Sequence, residues 1–522
     1  MITGQRMMSN PDIPRSVFDV FVYGSTPGGI AAAVTAARSG RRVCLACPKP
    51  FPGGMAASGL CTTDAVRRHL FGNLVLEFVG RIREHYRMNL GESHPEWPLC
   101  QEGWFYAPVV AQSCFEDMIA EEERLTYLPG QRLTQAIVQS GRIVAVRLDS
   151  LRDGQEHLCE AACFIDGTYE GDLAARAGVG YRVGREGREE YGEPLAGIHY
   201  MDWRTGRELS TPHSGQASAA IQAFCARIML TDDSSRRIPI EKPGTYEAHL
   251  QDYLPLLQDF RSGRITSLQQ ILPLVRLPQG RIEANGHIEA LTSLNCPGVS
   301  WEYPEADIAL RNELDRFHHE HALGLLHFLQ HDPHVPDAIR GQAGTLGLHK
   351  EEFTQTGNLP WQLYVRQGRR IEGRARVTQA NFTPDPVSGR TPLIPDAIAM
   401  GEHSFDVHPC HDRRHANEGM MEGVLWYPRK ESGPAQPGGI PYGSMLPRHI
   451  DNLLVPVALS ATHIAMSVIR MEPVWMTLGQ VAGQAAHAAM EQGVAPADLD
   501  PKTLVGTVMP CVPGVVPQHA DR

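Results

Sequence analysis

Asp19-Val20-Phe21-Val22-Tyr23 is an apolar run that enters Gly24-Ser25-Thr26-Pro27-Gly28-Gly29 and continues as Ile30-Ala31-Ala32-Ala33. A short strand, a glycine-rich turn and a small-residue helix form the opening of a dinucleotide-binding βαβ unit. Such a turn lets backbone N–H groups approach a pyrophosphate, and the helix N-terminus places a partial positive charge beneath it. Gly24 and Gly29 hold the first and third places of G-x-G-x-x-G, while Thr26 holds the second. The second strand, Arg42 to Cys47, ends in a cysteine where an acidic residue would bind a ribose hydroxyl.

The next segments read as follows. The crossover helix is expected over Gly28 to Ser39, stopping at Gly40. Pro52 to Asp64 is too rich in glycine and small residues for regular structure. Helical periodicity marks Asn73 to Tyr86 and Val110 to Arg124. Thr126 to Phe164 alternates apolar and polar residues, with breaks at Ser140-Gly141 and Asp153-Gly154, which predicts a three-stranded antiparallel meander. Its last strand enters a second glycine-acid turn, Asp166 to Asp172. Residues 185–355 change character, with more histidine and proline and a long helix over Glu305 to Gln330. The chain closes with a strand at Asn452 to Val457 and an Ala-Gly helix over Pro473 to Gln492, whose small residues suit close packing on a sheet.

Composition limits the function classes. With 48 basic against 59 acidic residues, a net charge of −11 argues against nucleic acid as a partner. Leu453 to Ile469 is the longest apolar stretch, but Ser460, Thr462, His463 and Ser467 make it too polar for a membrane span. Met1 to Arg15 lacks the apolar core of a signal peptide. The 11 cysteines look like reduced thiols rather than a disulfide framework. These features predict a soluble cytoplasmic protein, and they leave a homo-oligomer open. Cys44 and Cys47 spell C-x-x-C, but strand alternation sets them on opposite faces, which excludes a redox pair. His411 and His415 stand at i, i+4, and six histidines lie between His318 and His334, yet no Glu or Cys completes a metal set.

With these pieces placed, the chain resembles the FAD-dependent oxidoreductases of the glutathione-reductase-like superfamily, in the branch labelled xanthan lyase-like. The ordered blocks that carry the resemblance are Gly24–Gly29, Gly53-Gly54-Met55 with Thr63-Asp64, Phe164 to Leu173, Leu363 to Arg370, Phe405 to His408, and Ser460 to Pro473. The resemblance implies an α/β fold, a glutathione-reductase-like FAD-binding Rossmann domain with an inserted α+β substrate domain. On this reading residues 17–184 and 361–500 form the FAD-binding domain, 185–360 the substrate domain and 501–522 a tail.

The implied cofactor contacts are Gly24, Ser25, Thr26, Gly28 and Gly29 at the pyrophosphate, and Gly53, Gly54 and Met55 along the cofactor. Thr63 and Asp64 would lie near the isoalloxazine, and Gly167, Thr168 and Asp172 at the second cofactor turn. Arg132 would pack near the adenine, and Ser460 near the ribityl or pyrophosphate. Met471 and Glu472 would stand at a helix end directed at the flavin. Thr26 would offer its hydroxyl to the phosphates, and Cys47 would remove the usual charged grip on the ribose.

His463, His408 and Asp406, with Arg470, are the candidates for proton handling and catalysis, against the plain alternative of satisfied structural histidines among 23. Only one strand-turn-helix fingerprint occurs, which speaks against a separate pyridine-nucleotide domain. The expected activity is removal of hydride from a small polar substrate, with the flavin reoxidised by oxygen or another carrier. Two alternatives stay open: a flavin-dependent lyase or isomerase without net redox, and a scaffold whose FAD binding is weakened or lost.

Overall fold

The computed structural model describes residues 13–202, 207–411, 420–425 and 436–508. Strand β1 (Arg15–Tyr23) leads into helix α1 (Pro27–Arg38), which returns the chain to β2 (Val43–Ala46). After α2 (Asn73–Asn89) and α3 (Pro108–Ala120) the chain adds β3 (Leu125–Leu128), β4 (Gln131–Gln139), β5 (Arg142–Ser150) and β6 (Glu156–Asp166). The sheet order is β3-β2-β1-β6-β5-β4, and the short strand Leu453–Leu454 also pairs with β6. β1 runs parallel to both β2 and β6, so Tyr23, Ala46 and Asp166 end at one edge. Val20, Phe21, Val22, Val43, Cys44 and Leu45 are wholly buried, as parallel strands covered on both faces require.

The meander differs from expectation at its first strand. Gly130 has φ +68 and breaks the run, so Leu125–Leu128 pairs parallel with β2 and only Gln131–Gln139 enters the antiparallel part. The other two strands turn at Ser140-Gly141 and around Asp153-Gly154 as predicted. Between Gly53 and Asp64 the chain makes one short 3-10 turn, Gly54–Ala57.

A five-stranded antiparallel sheet forms the second unit, in the order Arg237–Ile238, Gly347–His349, Ile228–Thr231, Arg281–Ala284, Leu274–Leu277. Helix α4 (Ile308–His331) belongs to it and is capped by the Asp307 side chain, which accepts from the Leu310 amide at 2.9 Å. The last long helix, α5 (Glu472–Gln492), returns to the first unit. Its small residues pack on α1 rather than on the sheet: a Cβ at Gly479 would overlap the Gly28 backbone, and one at Gly483 the Ala32 carbonyl. One apolar core is continuous from Val20 and Ile30 through Ile228 and Leu230 to Leu325 and Leu329.

Candidate functional site

The turns that follow β1, β2 and β6 meet at the carboxyl edge of the parallel strands, where open α/β sheets bind ligands. They line a groove of about 380 Å³ with Gly24, Ser25, Thr26, Cys47, Gly54 and Thr168 on one wall. Asp315 and His319 of α4, with Trp361, line the other. Gly24 is held at φ +103 against Gly167 and Thr168, and a Cβ at Gly29 would overlap the Gly24 carbonyl. Thr26 caps α1. Its hydroxyl donates to the Gly167 carbonyl at 2.6 Å and accepts from the Gly29 amide at 3.2 Å. That hydroxyl is therefore engaged within the protein, contrary to its expected service to phosphate, and it ties the first turn to the third.

Gly53 (φ +103) and Gly54 (φ +49) are likewise required by the protein itself. A Cβ at residue 53 would meet Ala57 and Phe115, and one at residue 54 would overlap the Tyr169 hydroxyl. Tyr169 accepts from the Met55 amide at 2.9 Å and donates to Glu472 Oε1 at 2.7 Å. Glu472 opens α5, with Met471 as its cap residue. Burial pushes its carboxyl up to about 8, and Oε2 has no partner. Burial likewise raises Asp166 to about 6, although it accepts from the Thr168 amide and hydroxyl and the Ala174 amide.

A second cavity, of about 640 Å³, shares Pro48, Ile308 and Arg311 with the groove and is lined by Tyr23, Arg132, Leu133 and Arg176. Arg132 pairs with Asp149 at 2.6 Å. Asp172 is held by Arg311 at 2.6 Å and by Arg369 at 2.9 Å. Ser460 is fully buried with an unpartnered hydroxyl, as is the Thr63 hydroxyl.

A third, polar cavity of about 270 Å³ lies beyond the glycine pair, lined by Asp64, Asn285, His287, His403, Asp406 and His408 among others. Asp64 stands at its edge in a left-handed conformation (φ +52). Asp406 accepts from Arg470 at 2.7 Å, and Arg470 also donates to the Tyr364 hydroxyl. Asn295 donates its amide to His408 Nδ1 at 3.0 Å, which leaves the Nε2 proton facing Asp406 Oδ2 at 3.5 Å. Burial pushes His408 down to about 3, so the ring is neutral with both nitrogens engaged. His403 differs. Its Nδ1 lies 2.9 Å from the Ser404 carbonyl, which can only accept, so the neutral ring carries its lone pair on Nε2.

Thus Asp406, His408 and Arg470 come together, while His463 does not join them. His463 Nδ1 sits 2.9 Å from Glu186, itself paired with Arg370, and burial pushes the ring down to about 4. It ties the short helix His463–Ile469, just before α5, to Glu186. His403 and His287 went unnoticed in the sequence. His403 carried a signal in its spacing from Asp406 and His408, whereas His287 carried none. Among the described residues no group of His, Cys, Asp or Glu could hold a metal ion, and His415 lies outside them. No helix among the described residues is long and apolar enough to cross a membrane.

The profile of the family described as "FAD dependent oxidoreductase" matches residues 19–508. The chain belongs to this family. No curated protein matches the sequence. A triple mutant of the flavin-dependent brominase Bmp2 is 11% identical, with a TM-score of 0.35 over 93% of this chain and 82% of that one. L-proline dehydrogenase from P. horikoshii is 14% identical over 34% of this chain, and the match spans 26% of the dehydrogenase at a TM-score of 0.20. The myxobacterial chondrochloren halogenase CndH is 18% identical over 41% of this chain and 49% of its own, with a TM-score of 0.24.

The residues present fit FAD, the cofactor of this FAD dependent oxidoreductase. The first turn of α1 holds no acidic residue, Pro27 has no N–H to leave unpaired, and Thr26 satisfies the Gly29 amide, so the N-terminal end of the helix that borders the groove carries no negative charge of its own. Lys49 and Arg311 line the groove, each paired with a carboxylate, Asp315 and Asp172 respectively. Asp315 Oδ1, His319 Nε2 and Trp361 Nε1, all on its lining, are buried without a partner.

Proposed function

We propose that the protein oxidises a small polar organic substrate bound in the cavity between Asp64 and His408, on a glutathione-reductase-like scaffold. The observation that carries this reading is the meeting of His403, Asp406 and His408 in one polar cavity beside the loop that follows the glycine pair. FAD, when bound, would supply the hydride-accepting chemistry. His403 Nε2 takes the accompanying hydroxyl or amine proton. Imidazole suits this task because one ring nitrogen can take up a proton and release it again. Asp406 stays anionic: burial opposes this, but the hydrogen bond from the neutral His408 ring and the Arg470 guanidinium hold its carboxyl well below the usual range. Its charge favours the imidazolium that forms at His403. Arg470, pinned between Asp406 and Tyr364, fixes the geometry of that side of the cavity.

The test is anaerobic mixing of the flavin-loaded protein with panels of alcohols, amines and hydroxy acids, read as bleaching of the flavin band. His403→Gln should slow bleaching by roughly 10²–10⁴-fold with the flavin spectrum unchanged. Purified protein that neither contains nor takes up FAD, or bleaching unaffected by His403→Gln, refutes the proposal.

A further inference from the structure

The groove lacks an acid at the end of β2 but has one on its opposite wall. Cys47 accepts a hydrogen bond from the Ser25 hydroxyl at 3.0 Å and donates to the Lys49 carbonyl at 3.2 Å. Burial pushes its thiol up, so the position carries no charge with which to grip a ribose diol. From the same loop the Lys49 side chain reaches Asp315 of α4, Nζ to Oδ2, at 3.0 Å. Asp315 lines the groove with Gly24, Ser25, Thr26 and Cys47. One of its oxygens is held by Lys49, and the other has no partner in the protein. A carboxylate offers about four lone-pair sites, so pairing with Lys49 leaves capacity for two hydroxyl donors. His319, one helical turn further along the same face, also keeps an unpartnered Nε2 at the groove.

We infer that α4 of the insert supplies the ribose-binding acid of the adenosine diphosphate subsite, with Asp315 accepting from the ribose hydroxyls in place of a side chain at the end of β2. Lys49 serves the same subsite twice. It orients the Asp315 carboxylate, and it offsets the repulsion between that carboxylate and the pyrophosphate charge. A nucleotide held this way bridges the two units of the molecule, because its phosphates rest on α1 and its ribose on α4. Cofactor binding is then linked to the seating of the insert over the groove. This inference rests on the cofactor and is independent of which substrate is oxidised.

The test uses the full chain stripped of flavin, titrated with ADP and with 2′,3′-dideoxy-ADP and followed by calorimetry. The unaltered protein should bind ADP ~10–100-fold more tightly than the dideoxy nucleotide, the range expected for hydrogen bonds to a charged acceptor. Asp315→Asn should close most of that gap. It should also weaken FAD by a similar factor and leave FMN, which lacks the adenosine, unaffected. Equal binding of the two nucleotides by the unaltered protein overturns the inference, and this arm needs no variant to fold. So does absence of ADP binding, or a gap that survives in Asp315→Asn.

Discussion

Replacing Glu472 by glutamine separates the charge of the α5 terminus from its packing. The carboxyl is fully enclosed, takes one hydrogen bond from Tyr169 and leaves Oε2 unpartnered. Burial raises its pKa from the ordinary 4.5 to about 8, so the folded protein holds a proton that the unfolded chain releases. The sign follows from that difference: this group's contribution to stability is fully present below pH 4.5 and is lost as pH rises through about 8. At about 1.36 kcal/mol per pH unit, the span bounds the loss at about 5 kcal/mol, of which about 3 falls between pH 6 and pH 9. Glutamine keeps an acceptor for Tyr169 and cannot ionise. Glu472→Gln should therefore nearly match the parent at pH 5 and become the more stable protein at pH 9. Urea unfolding of the flavin-free chain at the two pH values measures this directly. A stability difference that stays constant within about 1 kcal/mol from pH 6 to pH 9 would show that the carboxyl titrates normally, and the account of this terminus would fall.

Further perturbations have definite signs. Gly479→Ala should lower the melting temperature, since its Cβ would overlap the Gly28 backbone and overpacking of this kind costs ~1–3 kcal/mol. Gly80→Ala, in α2 with no atom near the new Cβ, should raise it through a gain of about 1 kcal/mol in helix propensity. Thr26→Val keeps the shape but removes both hydrogen bonds of the cap, and should cost ~0.5–2 kcal/mol in thermal unfolding and weaken FAD. Thr26→Ser should sit close to the parent in both assays. His463→Gln disturbs the buried Glu186–Arg370 cluster and should lower the melting temperature without changing the bleaching rate per bound flavin. His403→Gln should show the reverse pattern.

What was legible in the sequence was local, and what was missed required distant partners. The βαβ opening shows itself because strand period, turn glycines and helix period lie within about 30 consecutive residues. The broken first strand of the meander was also local: Pro129-Gly130 is a strong turn signal that the apolar alternation on either side obscured. Asp406, His408 and Arg470 were found because they lie in short blocks with chemistry-bearing side chains. Their division of labour was not, because it depends on Asn295, 113 residues from His408, and on a backbone carbonyl next to His403. The pairing of His463 was not legible for the same reason: its partner Glu186 is 277 residues away. Cys47 is the sharpest case. Read along β2, it is a missing acid and a reason to doubt the cofactor. In three dimensions Lys49, two residues on, meets Asp315 from 266 residues away at the same groove. A position that looks vacant in a one-dimensional motif can be filled by any element the fold brings to that wall, so the departure at Cys47 weakens the motif without by itself weakening the site.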